Sequence, residues 1–474
     1  MKFKFFKIAL LSFVAVEILS FFSYASPILM NLGFFAILAT TLIFSFWKLE
    51  YGVYFLLAEL FLGGKGYLLN FHGISLRIAI FCVIMGVWAA KVIIKKQKPF
   101  FLGSELFKYY LVLSIFVLAG AVIGFLRGNQ FSNIFLDVNG WFYFLIIFPI
   151  FESIKDRRQL KNILDIFLAA ITAVSLKTIG LFLIFAQSGF DLRVAQAGDA
   201  GADSWIFNIY KWIRNSGVGE ITPIDGFYRI FFQAHIFVMI GFFILLWILA
   251  QKKGGKFLYF GLVIISSTLF ISFSRSLWVG VFAGSLVFLW LLIKQMKWRE
   301  ITKFLVKPVL SAVVGILIVF VMVPGIFSAF GGRISSGTGE AASVSRINLL
   351  PKMWEKIKDN IIFGSGFGAT IVYETKDPRQ LEINPSGEYE TYAFEWGYLD
   401  IWMKIGIFGL ATYLLLIYKI FKENLKIGTP NFGLLCALVA LCATNMFSPY
   451  LNHPLGIGVI VLIGLAGQSG SNVS

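Results

Sequence analysis

Apolar runs of about 20 residues recur along the whole chain, and they leave one class of fold open. The runs fall near residues 5–24, 27–46, 50–62, 75–93, 109–126, 139–152, 162–186, 228–250, 256–273, 276–294, 304–325, 397–420, 431–450 and 454–467. Most are long enough for a helix to cross the hydrocarbon core, and the short stretch at 50–62 is the least certain. The composition agrees: 58% of residues are hydrophobic and 14% charged, with a mean hydropathy of +0.82. A soluble domain could not hide so much apolar surface. The expected fold is all-α, a polytopic transmembrane helix bundle of about fourteen helices. The start, Met1-Lys2-Phe3-Lys4 and an apolar run to Ser26, has the outline of a signal peptide. Glu17 interrupts that run and a second follows at once, so a retained first helix is expected.

The net charge of +16 would suggest nucleic acid in a soluble protein. Here the basic residues sit in short loops between apolar runs, the pattern that orients membrane proteins, so no nucleic-acid partner is expected. With the N-terminus cytoplasmic and strict alternation, five basic loops all face the cytoplasm: Lys91 to Lys108, Lys155 to Lys161, Lys252 to Lys256, Lys294 to Lys303 and Lys419 to Lys426. The C-terminus is then cytoplasmic too. The chain divides into N-terminal transmembrane helices (1–186), a first long outer loop (187–227), central transmembrane helices (228–325), a second long outer loop (326–395) and C-terminal transmembrane helices (396–474).

The first loop is expected to carry a short helix at Ser204–Ile213. In the second, Ile347, Leu350, Trp354, Ile357 and Ile361 recur at helical spacing, with Ser345 as N-cap. Such a helix should lie flat on the outer interface, ended by Gly364-Ser365-Gly366-Phe367-Gly368. Cys82, Cys436 and Cys442 lie in apolar runs, with neither a disulfide framework nor zinc spacing. Asp199 and Asp203 stand in an ordinary polar loop, and His235 reads as a satisfied interior histidine. No metal and no cofactor are expected.

Charges held beside a bilayer are costly and are functional candidates by default. On this topology Arg229, Arg275, Arg346 and Glu395 all reach the outer membrane level, as do Arg77 and Arg127, while Lys177 and Lys404 lie deeper. Arg77 and Arg127 read as anchors, and Glu17, Glu59 and Asp165 as structural. Arg275 lies in a turn too short to be a solvated loop. Guanidinium groups bind phosphate oxygens in a bidentate fork and stay charged when partly buried. Arginines at the rim suit a lipid diphosphate, whose head group sits at that depth. Sugar transfer from such a donor expels a diphosphate and needs a base for the acceptor hydroxyl, a role that suits Glu395.

Four stretches, in order, resemble the O-antigen ligase / O-antigen polymerase family. Ile271-Ser272-Phe273-Ser274-Arg275-Ser276-Leu277-Trp278 resembles its Ser-x-Ser-Arg-Ser turn. Tyr228-Arg229-Ile230-Phe231 resembles the arginine that opens the helix after its first long outer loop. Arg346, Trp354 and the run Phe363 to Gly368 resemble its second outer loop. Glu395 to Leu399, with Gly406 and Gly409, resembles the segment that re-enters the membrane. The resemblance covers about residues 225–425. It implies a metal-independent, inverting membrane glycosyltransferase of the C type. The implied site is on the outer face of the bacterial cytoplasmic membrane. The implied partners are an undecaprenyl-diphosphate-linked oligosaccharide, a glycan or lipid-linked glycan acceptor, membrane lipids and a chain-length regulator. Glu395 and Arg275 are the catalytic candidates. Arg229, Arg346, Ser274, Lys177 and Tyr398 are the substrate-binding candidates. The ligase pattern opens the re-entering segment with His-Asn. Glu395-Trp396 stands here, which favours polymerisation of repeat units over ligation to an acceptor such as lipid A core. A lipid-linked oligosaccharide flippase is the alternative of a different class. The halves show no repeat, and the charges gather at one face rather than at the midplane.

Overall fold

The computed structural model describes residues 4–187, 205–224, 227–251, 255–323, 326, 341–376, 381, 384–426 and 432–469. Among them, nine helices are long and apolar enough to cross a membrane, from Phe5–Tyr24 to Gly397–Lys426. Four shorter apolar helices, His235–Ala250, Lys256–Ile271, Phe432–Thr444 and Pro454–Ser469, and the short Leu49–Leu62 complete the expected set. The protein is an all-α polytopic membrane bundle. A helix is what such apolar sequences must form, because it closes every backbone hydrogen bond within its own segment. Many large apolar side chains stay on the surface, among them Leu11, Ile28, Leu126 and Val321, as a lipid-facing wall requires.

The chain divides into two compact units. The first comprises residues 1–100, 146–329 and 431–440. Its helices approach through small residues: Gly315 of Trp298–Met322 lies against the Val263 carbonyl, and its own carbonyl accepts a 2.8 Å bond from Ser267 Oγ. Arg77 makes a two-pronged contact with Glu59 and also donates to the Gly63 and Gly64 carbonyls. Glu59 thus has the structural role expected of it, and Arg77, expected as an interfacial anchor, is instead half of a buried pair. The hairpin Gly219–Ile224 with Phe227–Phe232 follows the helix Trp205–Asn215. That helix matches the one expected at 204–213. The hairpin corrects the reading of residues 228–234 as the start of a membrane helix, which begins only at His235.

The second unit comprises residues 101–145, 330–430 and 441–474. Its second-loop helix spans Ala341–Lys358 and is rotated from the expected orientation. Leu349, Met353 and Ile357 face a core with Ala369, Ile371, Phe394 and Met403. Ile347, Trp354 and Ile361 remain exposed. Ser345 lies inside the helix and is no N-cap: its hydroxyl meets Thr375 Oγ1 at 3.1 Å and accepts from the Lys376 amide. The glycine run wedges between helices. Gly366 sits so close to Gly124 that a Cβ would come within 2.2 Å of its amide nitrogen. Gly364, Gly366 and Gly368 all have φ between 74° and 80°, open to glycine at little cost.

Candidate functional site

In the first unit the helix Lys256–Ile271 ends and Arg275–Gln295 begins across three residues. A reversal this tight forces one residue into left-handed backbone, and Phe273 takes it, with φ 45°. A bulky residue there is an outlier that its surroundings must over-determine. They do: Phe273 is fully buried among Phe227, Phe270 and Trp278. Ser272 Oγ donates to the Leu269 carbonyl at 2.6 Å and accepts from the Ser274 amide. Ser274 takes the N-cap position, its hydroxyl 3.1 Å from that of Ser276. Arg275 is therefore the first helical residue, at the positive end of the helix.

Arg229 belongs to the strand Phe227–Phe232, paired with Thr222, and does not open a helix. Its Nε donates to the Ser272 carbonyl at 2.7 Å, and its guanidinium lies 4.9 Å from the Phe231 ring centre. The hairpin thus brings Arg229 to the Ser-Phe-Ser-Arg turn. Lys177 is placed differently. It pairs with Glu17 at 2.5 Å and lies over the Phe232 and Trp212 rings. His235 is buried, with Nε2 2.9 Å from Thr178 Oγ1 and Nδ1 accepting from the Phe232 amide, a satisfied interior histidine.

In the second unit Arg346 and Glu395 form an ion pair, the two side chains 36% and 52% exposed. Trp396 Nε1 donates to the Arg346 carbonyl at 2.9 Å, which ties the helix Ala341–Lys358 to the start of the helix Gly397–Lys426. Tyr398 donates its hydroxyl to the Cys442 carbonyl at 2.8 Å. Just ahead of the pair, burial and then the Asp137 charge hold the Tyr392 phenol above its ordinary range, so it stays protonated.

The helix Gly397–Lys426 breaks at Gly406, with φ 74° and ψ 175°. Irregular backbone at membrane depth must be covered by protein. The glycine run covers this one: Ser365 donates to the Met403 carbonyl, and Ile407 donates to the Ile361 carbonyl at 2.9 Å. The half-helix before the break holds a buried charge cluster missing from the expected site. Lys404 Nζ is 2.6 Å from Asp137 Oδ1 and 2.8 Å from Asp400 Oδ1, with every side chain under 10% exposed. Asp137 Oδ2 accepts from the Gly368 amide at 2.8 Å, and Asp400 Oδ2 accepts from Asn452 at 2.6 Å. The signal available was Asp400 and Lys404, four apart within an apolar helix. Among the described residues there is no group of three or more potential metal ligands. Asp199 and Asp203 lie outside the described residues.

No curated protein matches the chain. Residues 260–414 match the family model described as O-antigen ligase. The matched stretch contains the strained turn with Ser274 and Arg275, the Arg346–Glu395 pair and Tyr398, whereas Arg229 and Lys177 precede it. Over this segment, which holds the turn and the exposed ion pair, the chain is similar to the O-antigen ligase family.

Proposed function

We propose that this protein polymerises undecaprenyl-diphosphate-linked oligosaccharide repeat units on the outer face of the bacterial cytoplasmic membrane. The coarser statement, ligase- or polymerase-type handling of lipid-linked glycans in a membrane, is supported by the match of residues 260–414 to the O-antigen ligase model. The diphosphate chemistry rests chiefly on one observation, the Arg229 contact to the Ser272 carbonyl, which brings Arg229 to the strained turn that carries Arg275. The choice of polymerisation rests on Glu395-Trp396 where the ligase pattern has His-Asn. Two guanidinium groups match the charge of a diphosphate and stabilise it as it leaves.

The reaction is a single inverting displacement that calls for no metal. The acceptor hydroxyl oxygen bonds to the anomeric carbon as the bond to the diphosphate oxygen breaks. The electron pair leaves with the diphosphate, and the hydroxyl proton passes to Glu395. In the structure the Arg346 guanidinium occupies the Glu395 carboxylate. Glu395 therefore acts once Arg346 turns to an anionic substrate, an exchange that a half-exposed pair permits at small cost. Ser274 is assigned to hydrogen-bond the head group, and Lys177 and Tyr398 to line the substrate path. Lys177 and Tyr398 would first have to leave Glu17 and the Cys442 carbonyl.

The family description favours a second reading, ligation of a finished glycan to another acceptor. One assay separates them. The purified protein receives a single lipid-diphosphate oligosaccharide and no other acceptor, and the products are run on a gel. A ladder is expected. Its absence, with transfer restored by a different acceptor lipid, establishes the ligase. No transfer in either condition rejects glycosyl transfer and brings the flippase forward.

A further inference from the structure

The first unit carries a second cationic feature, far from the arginine turn. A cavity of about 350 Å³ is walled by the ends of Pro27–Trp47, Leu76–Lys95 and Ile147–Ser153. Lys48, Lys91, Lys95, Lys98 and Lys155 all line it. The helix Arg157–Gln187 begins beside this cavity, and its Thr178 reaches His235 under the hairpin. At 1.5 Å per residue those levels are roughly 30 Å apart. The cavity thus lies at the opposite end of the unit from Arg229 and Arg275.

Five lysines face only two carboxylates, Glu50 and Glu152, and both are already engaged. Glu50 accepts from the Gln159 amide group. Glu152 accepts from the Phe100 amide at 3.1 Å and lies 3.8 Å from Lys155. Lys91 donates to the Ser45 carbonyl. Among the described residues Lys48, Lys95 and Lys98 form no ion pair. Beside these lysines the surface turns apolar: Phe46, Trp47, Ile93 and Ile94 are 58–79% exposed. A wall that is cationic above and apolar below fits a ligand with an anionic head and a hydrocarbon tail.

We propose that this cavity binds the phosphate head group of an anionic membrane lipid. The chain tail lies along Ile93 and Ile94, and the phosphate sits among the lysines as a counter-charge. Basic pockets between membrane helices recognise anionic head groups in this way. Lysines placed only to orient a membrane protein need not converge on one concavity. The inference does not depend on glycosyl transfer.

The test measures lipid retained by the protein purified in mild detergent, by native mass spectrometry, with phosphatidylglycerol and phosphatidylcholine as probes. The triple variant K48Q/K95Q/K98Q is compared with K297Q/R299Q/K303Q, which removes the same charge from another basic loop. The wild type should retain phosphatidylglycerol over phosphatidylcholine. The cavity triple should weaken that binding about 100-fold, at the usual worth of a lysine near an anionic head group. The control triple should leave it within about twofold, and K48R/K95R/K98R should restore it. Unchanged melting of the cavity triple excludes loss of fold. Equal loss in both Gln triples, or equal retention of the two lipids, overturns the proposal. Displacement by millimolar inorganic phosphate also overturns it, by making the site one for soluble phosphate.

Discussion

Two ion-pair systems flank one half-helix of the second unit, and they are built on opposite terms. At its start Glu395 meets Arg346 with both side chains open to solvent. Within it Lys404 meets Asp137 and Asp400 with almost no exposure. An exposed pair contributes about 0–1 kcal/mol and can exchange partners. A buried one cannot: removing one partner strands a charge and costs about 3–5 kcal/mol. The buried cluster also reaches the Gly368 amide and Asn452, so it fixes the glycine run and the half-helix together. The dry cluster ties the scaffold together, and the wet pair is the one free to exchange partners, as the proposed reaction requires.

The largest effects should be on turnover. Arg275→Ala should lower polymer formation by about 10²–10³-fold while the protein still inserts and purifies. Normal polymer from that variant in cells would remove the diphosphate role of the turn. Glu395→Gln should lower turnover by about 10²–10⁴-fold as the proton acceptor is lost. Full turnover of this variant across pH 6–9 would leave Glu395 a packing role. For stability the order inverts. Lys404→Met should cost about 3–5 kcal/mol in a thermal or denaturant melt, and Arg346→Gln under about 1 kcal/mol. Equal losses would erase the distinction between the two systems. Gly366→Ala should cost about 1–3 kcal/mol, because its Cβ would meet the Gly124 backbone. The smallest effect is a test of orientation: a cysteine placed at the exposed Glu374 should react with an impermeant reagent from outside the cell only.

Much of the scaffold was legible because a membrane span leaves a long, uniform signature. The runs at 5–24, 27–46 and 276–294 end within a residue or two of helices Lys4–Tyr24, Pro27–Trp47 and Arg275–Gln295. The hairpin was not legible, since Phe227, Ile230 and Phe232 run straight into the apolar helix that follows and share its composition. The helix Ala341–Lys358 was recognised but rotated: its sequence holds two apolar stripes, and only the tertiary core selects Leu349, Met353 and Ile357. Among site residues the turn was readable from its own spacing. The meeting of Arg229 with Ser272 was not, nor was that of Asp137 with Lys404, 267 residues apart. Contacts of that span leave no mark in local pattern.

The most direct test exchanges the charges of the exposed pair. The double variant Arg346→Glu, Glu395→Arg keeps a pair at the same place but puts a guanidinium where the base should stand. Melting temperature and the polymer ladder are measured on the same preparation. The base role of Glu395 predicts a wild-type melt and no ladder. A ladder of wild-type intensity would contradict it, and would make the Arg346–Glu395 pair a structural clasp.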